Sequence, residues 1–173
     1  MTIFNFSKYP NKYFVETGTY KGDSLFSALN THCFEKLFSV EIHRELYEFC
    51  KQRFANQAQI KLFHGDTTDV LPEILKEIDS PATFWLDGHY TGAHAGKGLI
   101  NCPLLFELDI LCAHPIKTHT LIIDDVPSFG REEFNYVTKE QVIEKVLAIN
   151  SRYCLSIQDR GTSPNQVLVA SIE

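Results

Sequence analysis

Short apolar runs alternate with longer amphipathic stretches along almost the whole chain. Runs rich in β-branched and aromatic residues predict strands over 13–16, 37–41, 60–64, 82–87, 120–124, 153–158 and 166–171. Between them, apolar positions recur at three- and four-residue steps. Leu46, Phe49, Cys50 and Phe54 form one such stripe, and Val142, Ile143, Val146 and Leu147 another. Helices are accordingly predicted over 23–33, 44–56, 68–78, 103–112 and 139–149. Strand–helix alternation implies a mostly parallel sheet with helices on both faces, because parallel neighbours need crossover connections. The last two strands are joined by too few residues for a helix, and an antiparallel hairpin at one sheet edge is expected. The predicted fold is α/β, a Rossmann-like seven-stranded sheet, in a single domain over residues 1–173.

Composition narrows the function classes. With 44% hydrophobic and 22% charged residues among 173, the chain has the balance of a globular protein. Its formal net charge of -6 offers no basic stripe for a phosphate backbone, so nucleic acid is not expected as a partner. No stretch reaches the length of a bilayer span, and no membrane association is expected. The five cysteines, Cys33, Cys50, Cys102, Cys112 and Cys154, lack the spacing of a zinc site or a disulfide framework. They read as reduced thiols of a cytoplasmic protein.

In open α/β sheets the ligand sits beyond the carboxyl ends of the strands. Five successive strand ends here carry acids: Glu16 before the loop Thr17-Gly18-Thr19-Tyr20-Lys21-Gly22-Asp23-Ser24, then Glu41, Asp66, Asp87, and the pair Asp124-Asp125. Taken singly, each has a bland reading as a turn former, a surface acid or a helix cap. Their joint placement is harder to explain that way. Gly18 and Gly22 would let backbone approach a ligand closely. The spacing is Glu-x-Gly-x-x-x-Gly, not the Gly-x-Gly-x-x-Gly of dinucleotide binding, which disfavours a nicotinamide-dependent oxidoreductase. Glu41 follows about 20 residues later, where an acid can accept both hydroxyls of a ribose.

These residues carry a resemblance. The run from Phe14 to Gly22 resembles the first motif of class I S-adenosylmethionine-dependent methyltransferases. Phe38-Ser39-Val40-Glu41 is similar to their ribose-binding motif, and His64-Gly65-Asp66-Thr67 to the one beside the adenine. The resemblance implies S-adenosylmethionine as cofactor, with Glu16, Thr17, Gly18, Thr19, Tyr20, Gly22, Ser24, Glu41, Asp66, Thr67 and Asp87 around it. Further along, Phe84 to Tyr90 with Ile122-Ile123-Asp124-Asp125 resembles small bacterial sugar and natural-product O-methyltransferases of the macrocin type. In metal-dependent members of that group, positions matching Asp87, Asp124 and Asp125 hold magnesium. His89 departs from the pattern, standing where such enzymes carry another acid.

Two catalytic residues are therefore expected, Asp87 and His89, with the His89 imidazole as general base. The loop 91–98, with three glycines, is expected to lie over the substrate, His94 and Lys97 being candidate substrate contacts. The expected acceptor is a small molecule or a glycan, O-methylated on a sugar or related hydroxyl, and the small size of the chain points to a possible homodimer. A non-catalytic cofactor-binding protein of the same fold is the remaining alternative.

Overall fold

The structure is a computed structural model describing residues 4–90, 92, 96, 98 and 100–172. Seven strands form one sheet: β1 (Tyr13–Thr17), β2 (Lys36–Glu41), β3 (Ile60–His64), β4 (Ala82–Leu86), β5 (Thr120–Ile123), β6 (Cys154–Arg160) and β7 (Ser163–Ser171). Their order is β3-β2-β1-β4-β5-β7-β6. β1 to β5 pair in parallel, while β7 is antiparallel to both β5 and β6. The hairpin predicted from the short connection is present, with β6 at the edge. Because β7 runs backwards between them, β6 points the same way as β5, and its last residue, Arg160, reaches the edge where β1 to β5 end.

Five helices cover the sheet: α1 (Asp23–Asn30), α2 (Arg44–Arg53), α3 (Thr67–Leu75), α4 (Leu104–Ala113) and α5 (Lys139–Ile149). Alternate strand residues face opposite sides. Val15, Phe38, Phe84, Leu86 and Leu121 join Leu71, Ile74, Leu108, Leu111, Val142 and Val146 of α3, α4 and α5 in one core. Phe14, Leu37, Trp85, Ile122 and Val169 join Leu25, Ala28 and Cys50 of α1 and α2 in the other. On this second face no helix among the described residues follows β4 to cover Trp85. The segment before β1 does so instead: Phe4 and Phe6 place their rings 5.8 and 5.3 Å from the Trp85 indole. All five cysteines are free thiols.

Helix boundaries differ from the predicted ones for local reasons. α1 stops at Asn30, three residues early, because the Thr31 hydroxyl donates to the Ala28 carbonyl and His32 turns left-handed at φ 54°. α3 starts one residue early because the Asp66 side chain accepts from the Thr68 N–H and caps it. β7 starts three residues early, its first residues pairing with the end of β6 beyond the reach of β5. No helix among the described residues is long and apolar enough to cross a membrane.

Opposite the strand ends, His119 is fully buried before β5. Its Nδ1 accepts from the Ala82 N–H at 3.1 Å, and its Nε2 lies 2.9 Å from His114 Nδ1. Burial first, then the neighbouring His114 and Lys117, push the His119 pKa down to about 3. The folded chain thus refuses a proton that the unfolded chain takes up below about pH 6.5. The stability His119 contributes is complete above pH 6.5 and is lost as pH falls towards 3. That loss is about 2 kcal/mol by pH 5. Buried carboxyls such as Glu16 and Glu107 slope the opposite way, so the test compares urea unfolding of wild type and His119→Asn at pH 7 and pH 5. The variant should lose less stability on acidification, and an identical pH slope would contradict the assignment.

Candidate active site

The strand ends open into a cavity of about 400 Å³, within the range that ligand pockets occupy. Its lining includes Gly18 and Tyr20 after β1, Glu41 and Ile42 after β2, Asp66 and Thr67 after β3, and Asp87, Gly88 and His89 after β4. Asp125 after β5 and Arg160 after β6 complete the row. The five parallel strands and β6, which runs in the same direction, thus contribute, as expected for an open α/β sheet.

The loop after β1 is pinned before any ligand arrives. The Gly18 and Thr19 N–H groups both donate to the Val40 carbonyl at 3.0 Å. Below them runs a buried chain: Thr19 Oγ1 lies 2.5 Å from Ser39 Oγ, which donates to Glu16 Oε2 at 2.5 Å. Glu16 is fully buried and does not line the cavity, and burial raises its pKa well above the carboxylate range. Its role is to hold the loop from beneath. Thr17, Thr19, Gly22 and Ser24 also lie outside the cavity lining. Gly22 has another reason to be glycine. It precedes α1 at φ 78°, and a Cβ there would stand 2.6 Å from the Phe54 ring. The site residues that the structure does bring together from this loop are Gly18 and Tyr20.

Glu41 is held as an acceptor. The Tyr20 N–H donates to its Oε2 at 2.6 Å and the His43 N–H to its Oε1 at 2.7 Å. Each oxygen keeps a further lone pair on a carboxylate that lines the cavity. Burial raises its pKa, opposed by these N–H donors. Asp66 divides its duties, with Oδ1 capping α3 through Thr68 and Oδ2 turned to Gly98.

Gly96 and Gly98, described residues beyond His89, lie on this same side. The Tyr90 N–H donates to the Asn101 carbonyl at 2.7 Å, tying together the two ends of the segment between them. Gly96 packs on Ile42 and His43, and Gly98 on Asp66, so closely that neither has room for a Cβ. These glycines contact the ends of β2 and β3 and line the cavity. The candidate contacts His94 and Lys97 lie outside the described residues.

At the other end of the cavity the expected Asp87, Asp124 and Asp125 set does not assemble. Asp124 is buried, its Oδ2 salt-bridged to the Arg160 guanidinium and its Oδ1 without a hydrogen-bond partner among the described residues. It does not line the cavity. His89 takes its place: Asp87 Oδ1 lies 3.4 Å from Nδ1 and Asp125 Oδ2 lies 3.1 Å from Nε2. Asp87, His89 and Asp125 can each bring one ligand atom within 4.8 Å of the others. The two acids make their closest approaches to different ring nitrogens, Asp87 to Nδ1 and Asp125 to Nε2. The ring also packs on Phe134, 4.3 Å between centroids. Burial, then the Asp125 charge, raises the Asp87 pKa well above the carboxylate range, with Arg160 pulling it back.

Two site residues escaped the sequence reading. Arg160 lies two residues past the predicted end of the sixth strand, in the expected hairpin connection. Glu107, on α4, is buried under Gly88, and burial pushes its pKa up to about 7, opposed by the Thr67 and Thr17 hydroxyls. Its sequence signal was a single acid in the otherwise apolar first turn of α4.

The fold is shared with solved structures. An O-methyltransferase from Bacillus cereus in complex with SAH superposes with a TM-score of 0.66 at 12% identity, over 97% of this chain and 77% of that one. The N-methyltransferase NodS from Bradyrhizobium japonicum gives 0.60 at 12%, over 98% and 90%. This chain has the methyltransferase fold. A spermidine synthase from Thermotoga maritima shares it too, with a TM-score of 0.60 at 11% identity, over 96% of this chain and 55% of that one. Fold by itself therefore does not name the reaction. No protein-family model matches the sequence, and no curated protein matches it.

Proposed function

We propose that this protein is an S-adenosylmethionine-dependent methyltransferase acting on a hydroxyl of a small molecule or glycan, a sugar or related compound. The observation that carries the reading is Glu41. It is a carboxylate at the end of β2, fixed by two backbone N–H groups and open to the cavity. Such an acceptor suits a ribose diol. Gly18 at the first turn and Asp66 with Thr67 at the third give the rest of the cofactor half its lining. The O-methyltransferase and N-methyltransferase with this fold are consistent with the activity.

The cofactor supplies an already activated methyl group, so the protein's task is alignment, exclusion of water and removal of one proton. Tyr20, Glu41 and Asp66 orient the donor. His89 faces the acceptor half between Asp87 and Asp125. Asp125, 3.1 Å from Nε2, favours a proton there. Nδ1, at the looser 3.4 Å from Asp87, is then the nitrogen that takes the acceptor's proton. The acids present do not fit the expected magnesium site, since Asp124 is engaged by Arg160. No step is assigned to a metal. The free thiols and negative net charge accord with a cytoplasmic location and with an acceptor other than nucleic acid.

Titration calorimetry with S-adenosylmethionine, its demethylated product and NAD tests the reading. Both adenosyl ligands should bind one to one at micromolar affinity, and NAD should give no heat. Glu41→Ala should weaken adenosyl binding by about 1 to 3 kcal/mol through loss of a charged acceptor. NAD binding in place of S-adenosylmethionine would turn the assignment to an oxidoreductase.

A further inference from the structure

The acidic end of the cavity has its own cation. Asp87, Asp124 and Asp125 bring three carboxyl groups to the ends of β4 and β5, and like charges so placed repel unless something positive stands among them. Arg160 reaches them from β6. Its guanidinium is salt-bridged to Asp124 Oδ2 through Nη1, and its Nη2 lies 3.8 Å from Asp125 Oδ1. The Arg160 side chain is 25% exposed and lines the cavity, whereas the Asp124 side chain is 0% exposed. The pair is therefore screened from solvent on the carboxylate side, where charge pairing is stronger than at a surface. A divalent ion ligated by Asp124 would have to displace this guanidinium, and one seated between Asp87 and Asp125 would sit beside it.

We propose that Arg160 supplies the fixed positive charge at this site in place of a divalent cation, and that methyl transfer by this chain is metal-independent. The first half concerns the acids and Arg160 alone; the second rests on the methyltransferase reading. Arg160 acts as a positioning residue, holding Asp124 in place and Asp125 beside His89. The methyl acceptor is then activated by the imidazole without a Lewis acid.

Removing the guanidinium should uncover the site it fills. Titration of metal-free wild type with manganese chloride, followed by the electron paramagnetic resonance signal of the free ion, should show no binding in the millimolar range. Arg160→Met should bind the ion about tenfold or more tightly than wild type. Arg160→Lys, which keeps the charge, should bind no better than wild type, with far-UV circular dichroism confirming that each variant folds. Submillimolar manganese binding by wild type overturns the proposal, as does an Arg160→Met variant that folds and binds no better than wild type. Should Arg160→Met not fold, the wild-type and Arg160→Lys titrations decide the matter, both silent if the proposal holds. Loss of S-adenosylmethionine binding in an otherwise metal-blind wild type would sink the functional reading and leave the role of Arg160 standing.

Discussion

Replacing His89 with alanine should lower methyl transfer about 100-fold or more, the scale of losing a positioned proton acceptor, with cofactor affinity nearly unchanged. The imidazole lies between Asp87 and Asp125, and in the proposed reading this is the acceptor half while Glu41 and Asp66 serve the cofactor half. The effect should fall on kcat rather than on binding. Asp125→Asn should lower kcat about tenfold or more, because the amide no longer favours a proton on Nε2. The assay follows formation of the demethylated cofactor on an acceptor found by screening hydroxylated metabolites and nucleotide-linked sugars. Turnover near the wild-type value in His89→Ala, on that acceptor, would place the base elsewhere.

Replacing Gly18 with alanine should be the most damaging single-methyl change in the site. Gly18 stands at φ 82°, where an L side chain is strained, and an added Cβ would press into the backbone carbonyl of Asp87. Neither the loop nor the end of β4 can yield easily, since Gly18 donates to Val40 and the Asp87 N–H donates to the Thr17 carbonyl. A loss of about 2 to 5 kcal/mol is expected from strain and overpacking together. Gly130 is the matching control, at the same φ of 82° with nothing within 4 Å of its would-be Cβ. Gly130→Ala should cost only the backbone strain, about 1 to 2 kcal/mol. Urea unfolding of both variants separates the two contributions. Equal losses would mean that the contact with Asp87 is not what requires glycine at position 18.

The fold was legible because each strand is a short apolar run, and because seven residues between the last two leave room only for a hairpin. β3 and α5 lie where the pattern places them, at Ile60–His64 and Lys139–Ile149. The strand-end acids marked the edge of the sheet where the cavity opens. What the sequence could not show was the direction of each carboxyl. Glu16 and Asp124 sit at strand ends as Glu41 and Asp87 do, yet both are buried under the site. Glu16 is taken up by Ser39, and Asp124 by Arg160. Such partners lie 23 and 36 residues away and are set by strand register, which no local pattern encodes. Gly22 likewise had a ligand reading and a packing reason, and only the Phe54 ring distinguishes them. Because β6 follows a long helical stretch and ends in a turn, Arg160 read as an ordinary hairpin residue until the strand order placed it beside β5's acids.

The central claim is that the ends of β1, β2, β3 and β4 form the S-adenosylmethionine site. Its most direct test is an amide nuclear magnetic resonance titration of the uniformly labelled protein with the demethylated cofactor. The amides of Gly18, Tyr20, Glu41, Thr67, Asp87 and Gly88 should shift together and saturate at one equivalent, while those around Ala82 and His119 at the opposite edge stay still. An unchanged spectrum, or shifts gathered away from these strand ends, would contradict the account.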